Sequence, residues 1–143
     1  TFGKETFANI MARAVDQIVI NPEQDIILGF SIGGLVAWKL AERVRFKKVV
    51  ICSIAALLGK NLSLYPVAEL EKIFTLDQRA ELSGEDYGEP LELPILFYGS
   101  KETEQVIQLY KKLNKKFGGG LFEVNGAGHD LSDDYLKQVK GMI

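Results

Sequence analysis

Apolar positions along this chain follow two different rhythms. Phe7, Ile10, Met11, Ala14, Val15 and Ile18 recur at helical spacing, which predicts an amphipathic helix over about 4–19, ended by Asn21-Pro22. Ile26-Ile27-Leu28-Gly29-Phe30 is instead a short unbroken apolar run, as expected for a parallel strand covered on both faces. A helical stretch follows from about Ile32 to Val44 and carries Leu35, Val36, Trp38 and Leu40. Val49-Val50-Ile51-Cys52 reads as a second buried strand. Ile95-Leu96-Phe97-Tyr98, entered at Pro94, reads as a third, and Leu121-Phe122-Glu123-Val124 as a fourth. Between those last two, Val106, Leu109, Tyr110 and Leu113 mark one face of a helix that Gly118-Gly119-Gly120 stops. Ser132 can cap a final helix whose first turn holds Asp133 and Asp134, well placed against the helix dipole. Residues 54–90 are less regular, with helix expected from Pro66 to Leu82 and loop from Ser83 to Pro90.

Strands that alternate with helices predict an α/β fold. The expected core is a mostly parallel four-stranded sheet flanked by helices, with right-handed crossovers. The length of 143 residues suits a single domain over 1–143, with residues 54–90 as a cap-like excursion. Only a helix precedes the first strand, so Asp25 to Phe30 is expected to form a sheet edge. That strand is apolar, without Lys or Pro, and an open edge offers unpaired amides and carbonyls. A second copy of the chain, the first helix or a missing N-terminal half could cover it. A homodimer through this edge is the favoured expectation.

Composition narrows the classes further. The chain is 47% hydrophobic and 25% charged, enough for a real core without staples. The net charge of -2 gives no reason to expect nucleic acid or an anionic membrane surface as a partner. Cys52 is the sole cysteine, so no internal disulfide forms and a reducing compartment fits. No apolar run approaches the ~18 residues of a membrane helix, and no secretory pattern is present. A cytoplasmic location is the expectation.

The candidate chemistry begins at Gly29-Phe30-Ser31-Ile32-Gly33, a G-x-S-x-G motif between a predicted strand and a predicted helix. This is the context of a nucleophile elbow, a tight turn that holds the serine up at the C-terminal edge of the sheet. Glycines two before and two after the serine leave room for backbones to approach. The amide of Ile32 sits at the helix N-terminus, where an oxyanion can be bound. A chain of this length shows the bare pattern by chance about 5% of the time, so the strand–turn–helix placement is what gives it weight.

A serine needs a base, and the sole histidine, His129, follows the last strand in Asn125-Gly126-Ala127-Gly128-His129-Asp130. Strand C-terminal ends are where ligands gather in open α/β sheets. The base needs an orienting acid. Glu102, in Gly99-Ser100-Lys101-Glu102 after the third strand, is the favoured candidate, with Glu104 and Asp130 as competitors. The chain order is then Ser, acid, His, that of α/β hydrolases.

On these residues the chain resembles the α/β-hydrolase superfamily from its fifth strand onward. Gly29 to Gly34 with Leu35-Val36-Ala37 is similar to the elbow and following helix of small esterases and thioesterases. Gly99 to Glu102 resembles the acid loop, and Gly126-Ala127-Gly128-His129 the histidine loop. The resemblance covers nearly the whole chain but about half of the usual fold. It implies a truncated α/β-hydrolase fold lacking the N-terminal strands and the loop that ordinarily gives the second oxyanion amide.

The expected activity is hydrolysis of a carboxylic ester or thioester, with Ser31, His129 and Glu102 as triad and Ile32 as oxyanion donor. Phe30, Leu57 and Leu58 are candidate substrate-binding residues. Leu57, Leu58, Leu62, Tyr65 and Phe74 could equally bury the excursion, since apolar lining and apolar packing look alike in sequence. Cys52, within a strand, reads as core. One His and one Cys leave zinc without a ligand set, and Gly118-Gly119-Gly120 lacks the residues of a phosphate loop. No cofactor is implied. The rival readings are a catalytically inactive half-domain acting as a binding or interaction protein, and a fragment of a larger enzyme.

Overall fold

The computed structural model describes residues 3–17, 21 and 23–143. Ile18 and Pro22, expected at the end of the first helix, lie outside the described residues. In chain order the elements are α1 (Phe7–Gln17), β1 (Ile26–Phe30), α2 (Ile32–Ala41), β2 (Lys48–Cys52), a 3-10 turn (Gly59–Leu64), α3 (Val67–Glu71), α4 (Leu76–Gly84), β3 (Pro94–Gly99), α5 (Glu104–Phe117), β4 (Leu121–Val124) and α6 (Asp133–Met142). They group into two compact units, Thr1–Val19 with Ala56–Gly88, and Ile20–Ala55 with Glu89–Ile143. The first unit contains most of the expected excursion.

The second unit holds the sheet. Its strands run in the order β1-β2-β3-β4 and every neighbouring pair is parallel. Ile27 pairs with Val49, Val50 with Ile95 and Phe97 with Phe122. On one face Val50, Cys52, Phe97 and Val124 form a buried cluster with Tyr135 and Val139 of α6. Alternation sends Ile51 to the other face, where its Cγ2 lies 3.5 Å from the Cβ position of Gly34 in α2. Trp38 of α2 and Phe117 of α5 meet edge to face there, with ring centroids 5.4 Å apart. Cover on both faces explains why the central strands β2 and β3 read as unbroken apolar runs. β1 lies at the end of the sheet, and Ile26 and Leu28 are 50% and 43% exposed. Because all strands point the same way, their C-terminal ends share one rim, which carries Ser31, Ser53, Ser100 and Asn125.

The first unit packs α1 with α4. Phe7 and Met11 form the buried side of α1. Glu81 of α4 accepts the amides of Phe7 (2.8 Å) and Ala8 (2.6 Å), so a carboxylate satisfies two free donors at the start of α1. Gln78, buried, donates to the carbonyls of Gly3 and Glu5 at 3.1 and 2.7 Å. The single helix predicted from Pro66 to Leu82 is instead two, α3 and α4. The break has a local cause: Thr75 and Gln78 form a reciprocal capping box that starts a new helix at Leu76. The 3-10 turn at Gly59–Leu64 has no counterpart in the sequence expectations.

Candidate active site

Ser31 occupies the turn between β1 and α2 at φ 56, ψ -120. Positive φ is uncommon for a residue with a side chain, and three backbone bonds hold it there. The Ser31 amide donates to the Cys52 carbonyl at 3.0 Å. The Ser31 carbonyl accepts from Leu35 at 3.2 Å and from Ala55 at 3.0 Å. Gly29 makes the close turn possible, because a Cβ there would run into the carbonyl group of Gly33 and lie 2.8 Å from the Ala37 Cβ. The matching expectation for Gly33 does not hold: a Cβ there meets nothing within 4 Å. The second tight position is Gly34, where a Cβ would lie 3.3 Å from the Gly29 carbonyl oxygen and 3.4 Å from the Ile54 Cα.

The rim brings together the three side chains singled out in the sequence. Ser31 Oγ lies 2.8 Å from His129 Nε2, and His129 Nδ1 lies 2.9 Å from Glu102 Oε1. The His129 side chain is 44% exposed and the Glu102 side chain 2%. Of the competing acids, Glu104 sits in the first turn of α5 and accepts from Gln108 Nε2 at 2.6 Å, and Asp130 is exposed. The loops carrying Glu102 and His129 are stitched by backbone bonds: Ser100 to the Val124 carbonyl at 3.0 Å, Lys101 to the Ala127 carbonyl at 2.8 Å. The Gly126 amide adds a bond to Ser100 Oγ at 2.8 Å. Gly99 permits this approach, since a Cβ there would collide with the Ala127 and Gly128 carbonyl oxygens.

Glu102 has further partners that the sequence gives no direct sign of. Its Oε2 accepts from the Gly99 amide (2.6 Å) and from Ser53 Oγ (2.9 Å), and its Oε1 accepts from the Tyr110 hydroxyl (3.1 Å). Ser53 is fully buried at φ 44, and its Oγ lies 2.8 Å from the Tyr135 hydroxyl. Burial pushes the Tyr135 phenol above its ordinary range, so it stays protonated. The one available signal is positional: Ser53 follows β2 directly, as Ser31 follows β1. Tyr110 and Tyr135 look like ordinary apolar helix positions.

Phe30 packs against the imidazole, with ring centroids 5.3 Å apart, and meets Tyr135 edge-on at 5.8 Å. Ile32 is the first residue of α2, so its amide has no acceptor within that helix and lies next to Ser31. Leu57 and Leu58 belong to the other unit, and both are buried. Cys52 is fully buried in the sheet, and burial pushes its thiol up to about 12, so it remains protonated and unreactive. Among the described residues, no group of three His, Cys, Asp or Glu side chains is placed to hold a metal ion. Nor is any described helix long and apolar enough to cross a membrane.

No family model and no curated protein sequence matches this chain. Solved structures do. One is MGS-MChE2, an alpha/beta hydrolase enzyme from the metagenome of lagoon sediments at Mar Chica, Morocco. It matches 95% of this chain with a TM-score of 0.60 and 15% identity. The fold is that of the α/β hydrolases. A predicted CIB-like hydrolase from Thermoplasma acidophilum matches 99% of the chain (TM-score 0.56, 17% identity), and a variant of Arabidopsis thaliana SOBER1 matches 94% (TM-score 0.53, 17% identity). The chain spans 67%, 62% and 60% of these three structures, so it holds a part of the α/β-hydrolase fold. At such identities the likeness is one of architecture. Within that architecture Ser31, Glu102 and His129 follow β1, β3 and β4.

Proposed function

We propose that this protein is a serine hydrolase that cleaves a carboxylic ester or thioester through an acyl-enzyme. The observation that carries the reading is the unbroken chain of hydrogen bonds from Ser31 Oγ through His129 to the buried Glu102. Glu102 accepts a hydrogen bond from the Nδ1–H of His129, which keeps the proton on Nδ1 and leaves the Nε2 lone pair facing the serine hydroxyl. Ser31 Oγ then attacks the carbonyl carbon while its proton passes to Nε2. The negative oxygen of the tetrahedral species meets the amide of Ile32. Collapse breaks the bond to the leaving alkoxide or thiolate, which takes the proton from Nε2. Water repeats the sequence on the acyl-serine, with His129 again as base, and releases the acid. Phe30, packed beside the imidazole, is the proposed substrate-facing residue of the sheet unit.

A fluorophosphonate probe tests the reading, because it modifies a serine only where a base has activated it. The expected result is one covalent adduct at Ser31 in the wild type and none in Ser31→Ala, alongside hydrolysis of a p-nitrophenyl ester. A wild type that takes no label and turns over no ester would favour the binding-module reading instead.

A further inference from the structure

The buried side of Glu102 carries a further inference, which rests on the hydrolase reading. Four donors meet this carboxylate: His129 Nδ1 and the Tyr110 hydroxyl on Oε1, the Gly99 amide and Ser53 Oγ on Oε2. An ionised carboxylate offers about four acceptor sites, so the set is complete. The donors are not equivalent. Tyr110 has one proton, and the Ile54 carbonyl competes for it at 3.0 Å. Ser53 also has one proton, and a carboxylate can only accept, so that proton points at Glu102. Tyr135, 2.8 Å from Ser53 Oγ, must therefore be the donor in that pair. A directed relay results, from Tyr135 to Ser53 to Glu102 to the imidazole.

The backbone supports the same view. Ser53 is held at φ 44 with its amide bonded to the Phe97 carbonyl at 2.8 Å. A side-chain-bearing residue kept in a sparsely populated conformation, with its amide and hydroxyl engaged and no exposure, is over-determined by its surroundings.

We propose that Ser53, itself held by Tyr135, is a positioning residue that fixes the rotamer of Glu102 and through it the orientation of His129. Ser53 touches neither Ser31 nor substrate in this scheme. Its effect must therefore be read at the imidazole.

The sequence contains a single histidine, so His129 gives one imidazole Cε1–H line in proton NMR of the whole chain. Its titration midpoint is to be compared in wild type, Ser53→Ala, Ser53→Gly and Tyr135→Phe. The titratable groups facing Glu102 are His129, Tyr110 and Tyr135. Loss of the Ser53 hydroxyl leaves the Glu102 charge less compensated, which favours the imidazolium beside it. The midpoint should rise by about half a unit to one unit in both Ser53 variants, and by less in Tyr135→Phe. Fluorophosphonate labelling of Ser31 should slow about ten-fold, the usual effect of a lost hydrogen bond to a charged group. Ser53→Gly accepts positive φ without strain, so it separates the hydroxyl from the backbone and serves if the alanine variant does not fold.

A midpoint that stays fixed or falls in a folded Ser53 variant overturns the positioning role. If Ser31 is labelled in that case, the hydrolase reading survives. A midpoint that rises in a protein whose wild type takes no label has the opposite meaning: the positioning relay stands and the hydrolase reading fails.

Discussion

β1 and β2 lie side by side, and each ends in a serine at positive φ, Ser31 at 56° and Ser53 at 44°. The two ends are built alike. Each serine amide bonds to a carbonyl of the next strand, Ser31 to Cys52 and Ser53 to Phe97. From there they diverge. Ser31 is half-buried and its hydroxyl meets an imidazole, whereas Ser53 is fully buried and its hydroxyl meets a carboxylate and a phenol. A neutral imidazole can take a serine proton. A carboxylate that is already fully satisfied by donors has little tendency to do so. The backbone conformation thus marks both positions as special, and the partner and the exposure decide which one can be a nucleophile.

Removal of the Ser31–His129 pair should separate the two strand ends most strongly. Ser31→Ala and His129→Ala should each lower ester hydrolysis by about 10³-fold or more, because the two groups act as a unit. Steady-state rates on a p-nitrophenyl ester check this, and retention of the rate in either variant would remove Ser31 from the role given to it.

The shared acid comes next. Glu102→Gln should cost about 10²-fold or more in kcat, since the amide cannot hold the imidazole in the same tautomer. Glu104→Gln should change kcat by less than about two-fold, as expected for an exposed residue whose partner is Gln108 of its own helix. The reverse order would move the acid to Glu104 and break the link between the two strand ends.

These effects bear on how far the sequence alone could reach. The central strands β2 and β3 were legible because cover on both faces writes unbroken apolar runs into a parallel sheet, and β1 and β4 because short apolar stretches stand between helical patterns. Ser31, Glu102 and His129 were legible as candidates for different reasons: Ser31 through the G-x-S-x-G turn after a strand, His129 as the sole histidine, and Glu102 through its place past a strand end between the two. Ser53 was not: a serine after a strand is common, and its partners Glu102 and Tyr135 lie 49 and 82 positions away. The split of residues 66–82 into α3 and α4 was also missed, because Thr75-x-x-Gln78 sits inside an otherwise helical pattern. The same limit applies to Glu81, whose bond to the start of α1 joins residues more than seventy positions apart.

A smaller effect tests the elbow that sets the two ends apart. Gly29→Ala forces a Cβ into the Gly33 backbone, which cannot give way as a flexible side chain can. It should lower unfolding stability by about 2–4 kcal/mol, in the range of overpacked or strained sites. Gly33→Ala, with open space at its Cβ, should cost less than about 1 kcal/mol. Urea denaturation of both variants checks the difference, and equal losses would mean that the turn is not packed as described.

The smallest effect compares the two serines directly, through glycine. Glycine relieves the strain of positive φ at either position, a gain of about 1 kcal/mol or more, and gives part of it back as chain entropy in the unfolded state. At Ser31 the hydroxyl lost is half-exposed, and water can replace it as a partner for His129. Ser31→Gly should therefore leave stability unchanged or raise it by up to about 1 kcal/mol while the proposed activity is lost, as expected where strain serves function. At Ser53 the hydroxyl lost is buried between Glu102 and Tyr135, and no water takes its place without a cavity to hold it. Two buried polar groups then lose a partner, at about 1–3 kcal/mol each, which outweighs the strain released. Ser53→Gly should lower stability by about 1–3 kcal/mol. Opposite signs for the same substitution at neighbouring strand ends would place strain on the nucleophile side and hydrogen bonding on the acid side. A shared sign, measured as the urea midpoint at constant m, would mean that both serines are held for the same reason.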